Sequence, residues 1–160
     1  MSEKQVVKLL KDVDLTFGKV RSTSSGSKMI DITNKELYQT GWMKVVNIEK
    51  CIIFDASEFS QLFKSIDESI INVSSKELDI PVDKLLSLYR NMLINDTHIR
   101  MSTGIYTVLF DSSKKYFRKE DIFKSIKVGD SARIIIRFKK LCYKDDCLKH
   151  IFELVQIETA

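Results

Sequence analysis

The sequence predicts an α+β fold, a mainly antiparallel β-barrel with a pair of helices inserted at about residues 56–94. Three observations lead there. Short alternating or β-branched stretches occupy both halves of the chain, two segments of helical periodicity separate them, and strands do not alternate regularly with helices as a parallel α/β unit requires. With 160 residues the chain has the length of one domain able to bury a core without disulfide or metal support, so residues 1–160 are read as a single unit.

The elements follow in order. In "SEKQVVKLLKDV" the apolar residues Val6, Leu9, Leu10 and Val13 stand behind a Ser2-x-x-Gln5 capping pattern, which predicts a short helix, with an early strand as the alternative. "VDLTF" alternates Val13, Leu15 and Phe17 with polar residues and reads as a strand. The polar "RSTSSGS" with Gly26 then turns the chain into a second strand, "KMIDI". "NKELYQTGW" is a break, and "MKVVNIEKCIIFD" supplies one or two further strands.

Asp55-x-x-Glu58 forms a capping box ahead of Phe59, Leu62, Phe63, Ile66 and Ile70, whose spacing is that of an amphipathic helix. Pro81, the only proline, suits the first turn of a second helix in which Leu85, Leu88, Tyr89 and Met92 share a face. Strand patterns return at "HIRMSTGIYTVLFD". A turn at "DSSKK", a brief helix near "RKEDIFKSI", then, after Gly129, a strand whose basic face runs over 131–140, a turn at "YKDDC" and a closing strand "LKHIFELVQIE" complete the chain. Short hairpins closing on themselves leave few free edges, which favours a five-stranded, OB-like barrel.

Composition narrows the function classes. At 44% hydrophobic and 30% charged residues the chain reads as a soluble globular protein. No apolar run reaches the roughly 18 residues of a membrane helix, and the charged N-terminus does not read as a signal peptide, so an intracellular location without membrane contact is expected. The three cysteines, Cys51, Cys142 and Cys147, read as free thiols. Cys142, Cys147 and His150 resemble part of a zinc site, but a fourth ligand would have to come from Cys51 or His98, and no metal is assigned. Phosphate-cradling glycine loops and the G-x-S-x-G elbow are missing, and the paired carboxylates are sequence neighbours whose side chains diverge. This pattern suits a binder better than an enzyme, and no cofactor is expected.

Charge distribution is more informative than the net charge of +4. Residues 114–140 carry ten Lys or Arg against three carboxylates, more than the surplus of the whole chain, and such local fields attract polyanions. Within "KVGDSARIIIRFKKLCY", alternation places Ala132, Ile134, Ile136 and Phe138 on one face and Arg133, Ile135, Arg137 and Lys139 on the other. Cations on the wet side of a strand are ordinary solvation, so aromatic residues must supply the second half of a nucleic-acid reading, because bases stack on them. Trp42, Tyr38, Tyr106, Tyr116, Phe117 and Tyr143 lie near basic or polar stretches, whereas Phe54, Phe59, Phe63, Phe110, Phe138 and Phe152 fit core positions. Trp42 is equally compatible with core and surface. The candidate nucleic-acid contacts are Trp42, Lys44, Arg100, Tyr116, Arg133, Arg137, Lys139 and Tyr143.

The segments "DLTFGKVRSTSSGSKMIDI", "LYQTGWMKV", "FSQLFKSIDESII", "YTVLFDSSKKYF", "GDSARIIIRFKKLCY" and "FELVQIE" occur in an order that resembles the single-stranded DNA-binding proteins of large eukaryotic DNA viruses, from about Asp14 to Glu158. The resemblance implies an oligonucleotide-binding barrel that coats single-stranded DNA during viral replication or recombination, at a replication site in the cytoplasm or nucleus. It extends to Gln39, Thr40, Trp42 and Met43, and departs from the family pattern at Gly41, where proline is common. RNA remains an alternative ligand, and formation of a homo-oligomer is left open. The rival from another class is a protein-interaction module that uses the faces Phe59–Ile70 and Leu85–Met92 to hold a partner.

Overall fold

The computed structural model describes residues 6–160. The first element is a strand, β1 (Val7–Leu9), where the sequence predicted a helix; the Ser2 to Gln5 cap lies outside the described residues. A lone N-terminal helix of about three turns carries the cost of nucleation without a packed face, whereas the strand gains ladder hydrogen bonds to a neighbour. "VDLTF" contributes one bridge, Phe17 to Ile32, and not a strand. The hairpin forms instead from β2 (Arg21–Ser22), which lies within the expected polar connection, and β3 (Lys28–Asp31), with Gly26 at φ 83° in the tip.

The expected break contains a short strand, β4 (Leu37–Gln39), which pairs in parallel with β1 and is too brief to show a period in sequence. The hairpin of β5 (Met43–Ile48) and β6 (Ile52–Asp55) follows. Asp55 does not complete a capping box. Its Oδ1 accepts from the Ser57 amide (3.0 Å) and the Ser57 hydroxyl (2.7 Å), shaping a 3-10 turn at Ser57–Phe59 that leads into α1 (Ser60–Leu78). Next come α2 (Val82–Leu88), β7 (Leu93–Ile94), β8 (His98–Met101), β9 (Thr103–Phe110), β10 (Tyr116–Arg118), α3 (Glu120–Ser125), β11 (Ser131–Lys144) and β12 (Cys147–Thr159). α2 ends earlier than its periodicity suggests, with Tyr89 already extended.

The spine is β11, paired along its length with β12 through a two-residue turn, Asp145 and Asp146, both at positive φ as such a tight hairpin demands. The other edge of β11 is shared in succession by β5, β4 and β3. Strand order along the main path is β10-β9-β12-β11-β5-β6-β8-β7. Two ladders, β9 with β12 and β1 with β4, are parallel, so the sheet is mixed, with most of its ladders antiparallel. The segment between β9 and β12 contains β10, α3 and β11, long enough to bring the chain back in the same direction. Among the described residues no ladder joins β10 to β7, and the sheet is not closed.

The helices sit between β6 and β8, which are hydrogen-bonded neighbours, so the helical segment is an insertion at one strand connection. Its expected last residues, Leu93 and Ile94, form β7. Phe63, Ile66 and Ile70 of α1 and Leu85 of α2 join the inward residues of the sheet, including Phe54, Ile99, Ile134, Ile136 and Phe138, in one buried cluster. Asp67 is also buried on α1, where its carboxylate accepts from the Tyr89 hydroxyl and the Met92 amide.

Candidate nucleic-acid interface

Register places one cross-strand row on the outer surface of the sheet. Tyr116 of β10 pairs with Phe110 of β9, Phe110 with Glu158 of β12, and Glu158 with Arg133 of β11. Met43 pairs with Ala132, so one step back along the antiparallel ladder Trp42 falls opposite Arg133. Side chains in one cross-strand row project to the same side. The row therefore reads Tyr116, Phe110, Glu158, Arg133, Trp42, over four lateral steps of about 4.8 Å each, roughly 19 Å end to end.

The contacts within the row follow from this register. The Arg133 guanidinium lies 4.8 Å from the Trp42 ring centroid, and its Nε donates to Glu158 Oε2 at 2.9 Å. Lys114 Nζ stands 3.5 Å from the other carboxylate oxygen. The Arg133 bond, aided by Lys114, holds the Glu158 carboxyl below the usual carboxylate range. At the far end the Phe110 and Tyr116 rings are 6.4 Å apart, and the Arg118 guanidinium is 5.6 Å from the Tyr116 ring. Trp42 is 45% exposed and Tyr116 60%, so both keep ring surface toward solvent. The alternatives for Trp42 resolve to the surface.

Two features hold Trp42 there. Thr40 is clipped to β11: its amide donates to the Ile134 carbonyl at 2.9 Å, and its buried hydroxyl accepts from the Ile134 amide at 3.1 Å. Gly41 lies on the Phe59 ring so closely that an added Cβ would stand 2.8 Å from Cζ, which explains a residue without a side chain at this position. Beside the indole opens a cleft of about 230 Å³ lined by Trp42, Lys44, Asp55, Ser57, Phe59 and Ser131, among others.

Lys44 projects to the same side, since it pairs with Ser131 and with Asp55, and Arg100 faces outward two strands farther on. Arg137 and Lys139 lie along β11 on the outer surface, each 3.6 Å from Glu153 Oε2, with Lys35 and Lys140 lining the adjacent cleft. Tyr143 is ten residues beyond Arg133 on the same strand, roughly 30 Å away. There it packs at the edge of the core and donates to Asp146 at 3.2 Å. The fold thus brings Trp42, Lys44, Tyr116 and Arg133 to one outer region, places Arg100, Arg137 and Lys139 at its margins, and sets Tyr143 apart.

Sequence reasoning placed Phe110 in the core, but it is half-buried on the outer row, because Leu109 takes the inward position of β9. Tyr38 is 2% exposed and belongs to the core. Lys114, Arg118 and Glu158 were not singled out. Alternation along β9 and β10 carries a trace of Arg118, whereas Glu158 becomes visible only through pairing with a residue 25 positions away. The basic face of β11 is accordingly less naked than a count over 114–140 suggests, since β12 sets Glu158 against Arg133 and Glu153 against Arg137.

No group of three metal-ligating side chains occurs among the described residues. His150 is a buried ring stacked 5.2 Å from Phe138, and burial lowers its pKa to about 3. None of the described helices is long and apolar enough to cross a membrane. What the outer surface offers chemically is aromatic faces interleaved with cations.

No protein-family model matches the sequence, and no curated protein is recognisably similar to it. Among solved structures, the single-stranded DNA-binding protein from bacteriophage Enc34 in complex with ssDNA aligns over 86% of this chain and 87% of its own, with a TM-score of 0.50 and 10% identity. At that identity the likeness is one of fold. This chain's own fold is a mostly stranded sheet with few helices.

Proposed function

We propose that this is a single-stranded DNA-binding protein with an OB-like fold that coats and protects its ligand during viral DNA replication or recombination, at an intracellular replication site. The observation that carries the proposal is the outer row, in which exposed rings at Trp42 and Tyr116 flank the cations Arg133 and Lys114. Bases of a single strand are free to stack on such rings at about 1 to 3 kcal/mol each, while a paired duplex hides its base faces. Phosphates meet the cations between them. Fold similarity to a phage protein solved with single-stranded DNA supports the same ligand class. Binding of this kind needs no catalytic group.

The interaction-module reading loses its main support, because Phe63, Ile66, Ile70, Leu85, Tyr89 and Met92 are buried within this chain's own core. The test is a titration of labelled dT and rU oligomers and of a matched duplex at two salt concentrations. Tighter binding of dT than of the duplex is expected. Tighter rU binding would reassign the ligand to RNA, and equal or tighter duplex binding would sink the assignment.

A further inference from the structure

We infer that Glu158 is an internal competitor for a backbone phosphate, its carboxylate holding Arg133 and Lys114 in the free protein and limiting the affinity for single-stranded nucleic acid. The inference rests on the ligand class proposed above and adds a residue that sets how strongly that ligand is held. Glu158 stands in the middle of the outer row, with the Tyr116 and Phe110 rings on one side and Trp42 on the other. Its two oxygens are divided between two cations, Oε2 taking the Arg133 Nε–H at 2.9 Å and Oε1 facing Lys114 Nζ at 3.5 Å. A phosphodiester presents two anionic oxygens in the same way, and cations between stacking platforms are where a backbone phosphate is needed.

An ordinary cross-strand ion pair would account for Arg133 and Glu158 alone. Two further facts exceed that account. Lys114, in the turn between β9 and β10, has a side chain 77% exposed, yet its Nζ stands 3.5 Å from Glu158 rather than extending into solvent. Arg133 meanwhile keeps its guanidinium over the exposed indole, where base and phosphate would arrive together. A phosphate drawn to this place has to share or displace the carboxylate, because each charge-assisted bond it makes to Arg133 or Lys114 competes with one to Glu158.

The experiment compares the full chain with Glu158→Gln and Glu158→Asp, using a labelled dT oligomer over a range of salt. Glu158→Gln is expected to bind on the order of tenfold more tightly, since one charge-assisted bond no longer has to be given up. Its log-log salt slope should steepen by up to about 0.7, the value of one more phosphate neutralised. Glu158→Asp keeps the charge but shortens the reach, and should fall between the two, which keeps the test open if the glutamine variant folds poorly. Glu68→Gln, the same charge change on an exposed position of α1, should leave affinity within about twofold, and in an Arg133→Ala background the gain from Glu158→Gln should shrink. If the parent binds and Glu158→Gln binds equally or more weakly, Glu158 only positions Arg133 and the inference is overturned while the ligand class stands. If no variant binds single strands, both fall.

Discussion

Trp42 separates a ligand-facing ring from a structural one by two measurements. Trp42→Ala is expected to lose about 1 to 3 kcal/mol of single-strand affinity, with Trp42→Phe losing less, in fluorescence titrations. Because the indole is 45% exposed, Trp42→Ala should cost less stability than the roughly 3 to 5 kcal/mol of an emptied core site. Unchanged affinity with a large fall in stability would return Trp42 to a structural role. Gly41 gives a companion test. A Cβ there meets Phe59, so Gly41→Ala should cost about 1 to 3 kcal/mol in denaturant unfolding and weaken binding by shifting the Thr40 to Trp42 segment. Two buried titratable side chains set the acid response. Burial lowers His150 from 6.5 to about 3, so between those values the unfolded chain binds a proton that the folded one refuses, and stability drops with acid. Burial raises Asp67 from 3.8 to about 6 against its bonds from Tyr89 and Met92; there the folded chain binds the extra proton, and stability drops as pH rises. The opposed slopes, each about 1.4 kcal/mol per pH unit, offset one another between about pH 4 and 6. Asp67→Asn removes one of them, so its stability relative to the parent should rise by about 3 kcal/mol from pH 4 to pH 6, measured by urea unfolding at each pH.

At the scale of elements, the β11–β12 hairpin combines a core face and a charged face in one pair of strands. Ile134, Ile136 and Phe138 point inward, while Arg133 and Arg137 stand outward opposite Glu158 and Glu153. The double variant Arg133→Ala/Arg137→Ala should keep its circular dichroism spectrum, since these half-buried cross-strand ion pairs contribute on the order of 1 kcal/mol each and the inward face is untouched. Its affinity should fall and its salt slope flatten by about 1.4, two phosphates' worth. A collapsed spectrum would make these arginines structural and reverse the face assignment. The alternation that identified both faces was legible in "ARIIIRF", because a strand's period of two is fixed by its backbone. The N-terminal strand β1 was legible only as the alternative to a helix. Val6, Leu9, Leu10 and Val13 fit a helix locally, and only the free edge of β4 gave the segment a ladder to join. β4 itself was hidden by its brevity.

For the whole molecule, the salt dependence of affinity is the property that sums over the surface. Single-strand binding is expected to weaken with rising salt, with a log-log slope of about −0.7 for each phosphate neutralised, read by anisotropy titration at several salt concentrations. A slope near zero would mean that the outer cations do not meet the ligand. The sequence by itself determined most of the strands, the amphipathic middle helices, the turns at Gly26 and Asp145–Asp146, and the alternation of Arg133 and Arg137 with isoleucines. These depend on backbone periods and turn chemistry that act over a few neighbouring residues. Only the tertiary structure decided that Trp42 stands opposite Arg133, that Phe110 joins Tyr116 outside the core, that the helices bury their own apolar faces, and that Glu153 and Glu158 answer the cations of β11. Each of those outcomes is a matter of register between segments far apart in the chain, and register is set by the packing of the whole core, which no local pattern contains.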